Sequence, residues 1–201
     1  MATLYLMRHG ETLFNVQQKI QGWCDSPLTE NGIEQARAAG RCLAERGVHF
    51  DHAYCSTAER ACDTLELVLE AAGQKLPYER LKGLREHNHG ILEGESERIN
   101  HTVPMEKADE FYLMYGGESF DQTTARVTGA IYEFMARPNP GDVLAVSHAG
   151  ACVSALQTFA DVERIMRAGI GNCTIWVLSY DERRPGVPEA FELEDIIVPG
   201  A

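Results

Sequence analysis

Arg8-His9-Gly10-Glu11-Thr12 stands directly after the apolar run Thr3-Leu4-Tyr5-Leu6-Met7, and His148 follows a second such run, Val143-Leu144-Ala145-Val146-Ser147. An imidazole beside a guanidinium is a nucleophile beside an anion clamp. An unprotonated imidazole can attack phosphorus, while arginines neutralise the phosphoryl oxygens and disfavour the protonated ring. Arg60, in Ser56-Thr57-Ala58-Glu59-Arg60, adds a guanidinium in the first turn of an expected helix. Arg8, Arg60, His9 and His148 therefore make a candidate cationic cup for phosphate, if the fold brings them together. A leaving alkoxide needs a proton, which calls for a nearby carboxylic acid. Glu86, in Leu84-Arg85-Glu86-His87, is the candidate; Glu11 and Glu93 are also in reach, and position alone does not rank the three.

Strand and helix patterns alternate around these residues. In open α/β sheets ligands bind at the carboxyl ends of the strands, where both histidines fall. A polar loop is expected from Asn15 to Leu28. Thr29 then caps a helix with Ile33, Ala36, Gly40 and Leu43 on one face, ended by Gly47. Ala53-Tyr54-Cys55 reads as a strand, followed by a helix carrying Ala61, Leu65, Val68 and Ala72, with Gly73 as its stop. Phe120, Thr124, Val127, Ile131 and Phe134 form another helical stripe, broken at Arg137-Pro138-Asn139-Pro140-Gly141. Ala149-Gly150 opens a further helix, and two strand-like runs, Thr174 to Tyr180 and Phe191 to Ile197, flank a short Pro/Gly turn. The pattern predicts a three-layer α/β/α domain over residues 1–201: a mainly parallel central sheet, helices on both faces and an antiparallel edge. The irregular stretch from Leu84 to Gly117 reads as an excursion from the core, not a separate domain.

The chain has 201 residues and a formal net charge of -12. That balance argues against nucleic acid and an anionic membrane surface as partners, but not against a small phosphorylated substrate, which needs only a few local cations. No run is long enough to span a bilayer and no signal peptide is apparent, so a cytoplasmic location is expected. The six cysteines lack C-x-x-C spacing and read as reduced thiols. His87, His89, Glu93 and Glu95 cluster without a metal-ligand pattern, and a substrate-facing or solvated loop is the better reading. Tyr112, Met114 and Tyr115 suit a lid or local packing equally. Oligomeric state is not legible.

The ordered set Arg8-His9-Gly10-Glu11-Thr12, Asn15, Gln21-Gly22, Pro27-Leu28-Thr29, Arg60, Leu84-Arg85-Glu86, Gly90, Glu93-Gly94, Gly117-Glu118-Ser119 and Ser147-His148-Ala149-Gly150 resembles the histidine phosphatase superfamily, in its phosphoglycerate mutase-like branch. Arg-His-Gly alone is weak; the ordered set is specific. The resemblance implies that His9 accepts the phosphoryl group as a phosphohistidine and that Arg8, Arg60 and His148 bind and neutralise it. It implies that Asn15, Gln21, Gly22 and Ala149 line the phosphate pocket, and that Glu86 gives the leaving group its proton and then activates water. No metal and no other cofactor is implied, because the arginines do the charge work.

Two departures bear on the reaction. Mutases of this branch usually carry Arg and Tyr after the glutamate; here the run is His87-Asn88-His89. They also carry a longer insertion with adjacent arginines, whereas only Arg98 and Lys107 lie between Glu86 and Gly116. These favour a phosphatase over a mutase primed by 2,3-bisphosphoglycerate. A rival of another class is a non-catalytic module that binds a phosphorylated ligand or protein.

Overall fold

The computed structural model describes residues 2–199, side chains at 101, 105 and 162 excepted; positions 1, 200 and 201 lie outside. Six strands form one sheet: β1 (Ala2–Arg8), β2 (His52–Ser56), β3 (Tyr78–Leu81), β4 (Asp142–Ser147), β5 (Ile175–Tyr180) and β6 (Phe191–Ile197). Their order is β3-β2-β4-β1-β5-β6. The first four are mutually parallel, while β5 runs antiparallel to both β1 and β6. The expected mainly parallel sheet with an antiparallel edge is present.

Parallel strands covered on both faces must be apolar throughout. In β1, Leu4 and Leu6 pack on one side with α5 (Phe120–Met135) and α6 (Ala149–Phe159). Tyr5 and Met7 pack on the other with α2 (Glu30–Glu45) and α3 (Glu59–Ala71). The alternation follows from the two-residue repeat of a strand, and it gives three layers with a core on each side of the sheet. The Thr29 hydroxyl accepts from the Gly32 amide at the start of α2, as its cap position requires.

The structure adds elements the sequence pattern does not announce. The polar loop after His9 contains a five-residue helix, α1 (Leu13–Gln17), capped by Thr12. β3 is a short edge strand with exposed Glu79 and Arg80 and no apolar alternation. α7 (Val162–Ala168) follows α6. In α5 the buried stripe runs through Thr123, not Thr124, and Phe120 is 38% exposed. The stretch from Leu84 to Gly117 holds short 3-10 turns and α4 (Ala108–Met114), with a small apolar cluster around Ile20, Leu92, Ala108 and Tyr112. Among the described residues no helix is long and apolar enough to cross a membrane.

Candidate functional site

β1 and β4 are neighbours in register, Arg8 opposite Ser147, so the two histidines leave the sheet side by side. The His9 amide donates to the Ser147 carbonyl at 3.0 Å. The His9 and His148 rings meet edge to face, 5.2 Å between centroids. The turn after His9 is tight: a side chain at Gly10 would collide with the Gly32 carbonyl at the start of α2.

His9 Nδ1 lies 2.7 Å from the Gly10 carbonyl oxygen. A carbonyl only accepts, so Nδ1 carries the ring proton and Nε2 the lone pair. Arg60 Nε donates to that Nε2 at 3.3 Å, which fits the same tautomer. Burial, then Arg60, then Arg8 hold the His9 pKa well below that of an ordinary imidazole. The ring is neutral at physiological pH. His148, fully buried, is pushed the same way by burial and by Arg60, and neither of its ring nitrogens has a protein partner among the described residues.

Arg60 has no solvent exposure and no idle guanidinium nitrogen. Nη1 donates to the Cys24 carbonyl and to Asp25, both at 2.9 Å, and Nη2 to the Gly22 carbonyl at 2.9 Å. It lies beneath His9 and ties the 22–25 loop to α3. Gly22 is there because of a close approach, since a side chain would strike the His87 carbonyl oxygen. Arg8 is the accessible guanidinium. Its Nη1 donates to the Ile170 carbonyl at 2.6 Å, and it lines the cavity above His9.

That cavity, of about 210 Å³, has Arg8, His9, Asn15, Gln21, Glu86 and Ala149 on its walls. Asn15 is anchored through Oδ1, which accepts from the Thr12 amide and from Asn172 Nδ2. Gln21 donates to Ser26 and accepts from the Thr12 hydroxyl. Of the three candidate acids, only Glu86 lines the cavity. Its Oε1 accepts from the His87 and Ala151 amides at 2.8 and 2.7 Å, and Oε2 from the Gly150 amide at 2.9 Å. Both carboxyl oxygens are thus held in place by backbone amides, two of them in the first turn of α6. Glu11 is taken up by the Thr29 hydroxyl at 2.7 Å. Glu93 accepts from the Trp23 and Cys24 amides.

The His87 and His89 rings are 4.8 Å apart and the His89 amide donates to Glu93, but among the described residues no group of three or more metal-ligating side chains is placed to hold an ion. Tyr112 packs against the His87 and His89 rings, and Met114 is 71% exposed.

Two residues at the site lack a local sequence signal. Asn172 donates to the His9 carbonyl and to Asn15, bridging β1 and α1 from the segment before β5. Arg126, in α5, donates to the carbonyls of Gly83, Arg85 and Glu86 at 3.0, 2.9 and 3.1 Å. It also makes a two-pronged pair with Glu118 at 2.9 and 2.7 Å. Burial of Glu118 opposes its charge, yet this pair holds its pKa below the usual carboxylate value. Arg126 therefore fixes the backbone that carries Glu86. Arg126→Ala is expected to cost about 2–4 kcal/mol in a thermal or urea melt, because it strands three carbonyls and a carboxylate.

Comparison with known proteins gives a consistent picture. A family model described as the histidine phosphatase superfamily (branch 1) matches residues 4–191. A broad-specificity phosphatase of Saccharomyces cerevisiae is 36% identical over 162 residues, 77% of this chain and 68% of that protein. A 2,3-bisphosphoglycerate-dependent phosphoglycerate mutase of Bradyrhizobium diazoefficiens is 39% identical over 134 residues, 61% of this chain and 63% of the mutase. The match thus spans less than two thirds of that mutase. Among solved structures, phosphoglycerate mutase from Bacillus anthracis superposes with a TM-score of 0.80 at 27% identity, covering 96% of this chain and 92% of that one. YhfR of Bacillus stearothermophilus gives 0.77 at 29%, covering 96% and 95%.

Proposed function

Because the chain belongs to the histidine phosphatase superfamily, branch 1, we propose that it is a phosphomonoester hydrolase that works through a phosphohistidine on His9 and acts on a small phosphorylated metabolite. The observation that carries this reading is the tautomer of His9: Nδ1–H is spent on the Gly10 carbonyl and Nε2 keeps its lone pair beside the cavity.

In the first step His9 Nε2 attacks phosphorus and the bond to the ester oxygen breaks. Attack replaces the 3.3 Å contact from Arg60 Nε to Nε2 with the bond to phosphorus. Arg8, the Asn15 and Gln21 side chains and the Ala149 region of α6 line the cavity and surround the phosphoryl oxygens, while Arg60 and His148 are not on its wall and act through their contacts with His9. Glu86 gives its proton to the leaving oxygen. In the second step Glu86 takes a proton from water, whose oxygen attacks phosphorus and frees His9. Catalysis here is positioning and charge neutralisation around a planar phosphoryl group.

Two experiments test the reading. Incubation with p-nitrophenyl phosphate and with 3-phosphoglycerate is expected to release inorganic phosphate. Isomerisation of 3-phosphoglycerate to 2-phosphoglycerate without release would instead support a mutase, the reading the Bradyrhizobium relative favours. Glu86→Gln is expected to slow alkyl phosphates roughly 10²–10⁴-fold and p-nitrophenyl phosphate far less, since nitrophenolate leaves without a proton. Equal losses on both would remove Glu86 as the proton donor. Arg126→Ala, acting through Glu86, should show the same leaving-group bias in weaker form.

A further inference from the structure

The cavity wall carries two groups of different chemistry. One, its inner end, is Arg8, His9, Ala149 and Gly150, at the carboxyl ends of β1 and β4 and the start of α6. The other, its outer wall, is His87, Glu97, Asn100 and Phe120, with the His87 and Phe120 rings packed together. Among the described residues that line the cavity, Arg8 is the only lysine or arginine, and it stands at the inner end.

The polarity of the outer wall can be read atom by atom. His87 Nδ1 shares a hydrogen bond of 2.8 Å with the Thr123 hydroxyl, and its Nε2 is buried without a protein partner among the described residues. Burial, then the neighbouring His89, holds the His87 pKa down at about 4, so the ring carries no charge near neutrality. Asn100 Oδ1 accepts from the Tyr112 hydroxyl at 3.0 Å, which leaves its NH2 group as a donor. Glu97 offers a carboxylate, and its field reaches Arg8. The Phe120 ring, packed on His87 at 5.1 Å between centroids, supplies an apolar face.

A hydroxyl both donates and accepts, which matches the Glu97 carboxylate as acceptor and the Asn100 amide as donor. An ammonium group cannot accept from Asn100. A carboxylate would meet the charge of Glu97, and the cation on the wall, Arg8, is engaged by the phosphoryl group. The geometry points to a substrate whose leaving group is an uncharged, hydroxyl-bearing alcohol, with Glu97 as the specificity-determining residue that disfavours carboxylated phosphomonoesters. This deepens the hydrolase reading and rests on it.

Glycerol 3-phosphate and 3-phosphoglycerate have the same carbon chain and differ at the far end, hydroxymethyl against carboxylate. The full chain is expected to prefer glycerol 3-phosphate in kcat/KM by about tenfold or more, the scale of a like-charge penalty in a partly dry site. Glu97→Gln, checked for folding by circular dichroism, should narrow that ratio by raising kcat/KM on 3-phosphoglycerate, and Glu97→Lys should reverse it. Equal or better turnover of 3-phosphoglycerate by the wild type overturns the inference, as does a ratio that Glu97→Gln leaves unmoved. If no ester, p-nitrophenyl phosphate included, is hydrolysed, the hydrolase reading fails by itself. Calorimetric Kd values for the two esters then decide the specificity: a tenfold preference upholds it and equal affinities end it.

Discussion

His9→Ala will abolish phosphate release from p-nitrophenyl phosphate, lowering kcat on the order of 10⁴-fold or more, as removal of a covalent nucleophile does elsewhere. The fold should survive. His9 sits at the end of β1, outside the two apolar clusters, and its backbone bonds to Ser147 and Cys173 do not need the ring. A phosphoprotein that is labile to acid and stable to base should be trapped in the wild type and be missing in the variant. Near-native circular dichroism with turnover above about one per cent of wild type would remove His9 from the mechanism, since a loss that small falls short of a covalent nucleophile's contribution.

Arg60→Ala is expected to damage stability and rate together, because one guanidinium serves both. The Gly22 and Cys24 carbonyls lose their donor and Asp25 its counter-ion. Asp25 is partly exposed and can rehydrate, so the cost should be about 2–4 kcal/mol, below that of a fully buried broken pair. Turnover should fall roughly 10²–10³-fold with the loss of positive charge behind the phosphoryl site. A third readout separates the electrostatic effect from the structural one. Burial contributes most to the depressed His9 pKa and Arg60 next. Removing Arg60 lets that pKa rise, so the protonated, unreactive imidazole forms at a higher pH. The acid limb of the kcat/KM profile should therefore move to higher pH, and an unmoved limb would mean that Arg60 acts on the loop alone.

The residues nearest the chemistry are the most legible in the sequence, and for a physical reason. A strand buried on both faces must be continuously apolar, so the break to polar residues after Met7 and after Val146 marks where each strand releases its side chains. The pattern of apolar runs therefore puts each histidine at the end of a strand, and the parallel pairing of β1 with β4 brings the two to one sheet edge. Thr29 and Gly47 mark their helix ends in the same way, through local backbone demands that few residue types meet. The ranking of Glu86 over Glu11 and Glu93 is not legible, because it depends on which carboxylate the long excursion brings to the amides of α6. Arg126 and Asn172 lie 40 and 163 residues from the groups they hold, and nothing local to either records the partner. β3 escapes because an edge strand with one covered side can carry Glu79 and Arg80 at little cost. The α5 stripe holds at Val127, Ile131 and Phe134 and departs only in the first turns, where Thr123 is buried in place of Thr124 and Phe120 looks like a core residue but lines the cavity.

The small apolar cluster around Ile20, Leu92, Ala108 and Tyr112 is separate from the two clusters that flank the sheet. Through Tyr112 it supports Asn100 on the cavity wall, whereas His87 is bonded to Thr123 of α5 and Phe120 belongs to α5, a helix of the main core. The wall opposite His9 thus has two foundations. Exchanging the segment from Asn88 to Gly117 between relatives would change Glu97 and Asn100 and leave His87 and Phe120 in place.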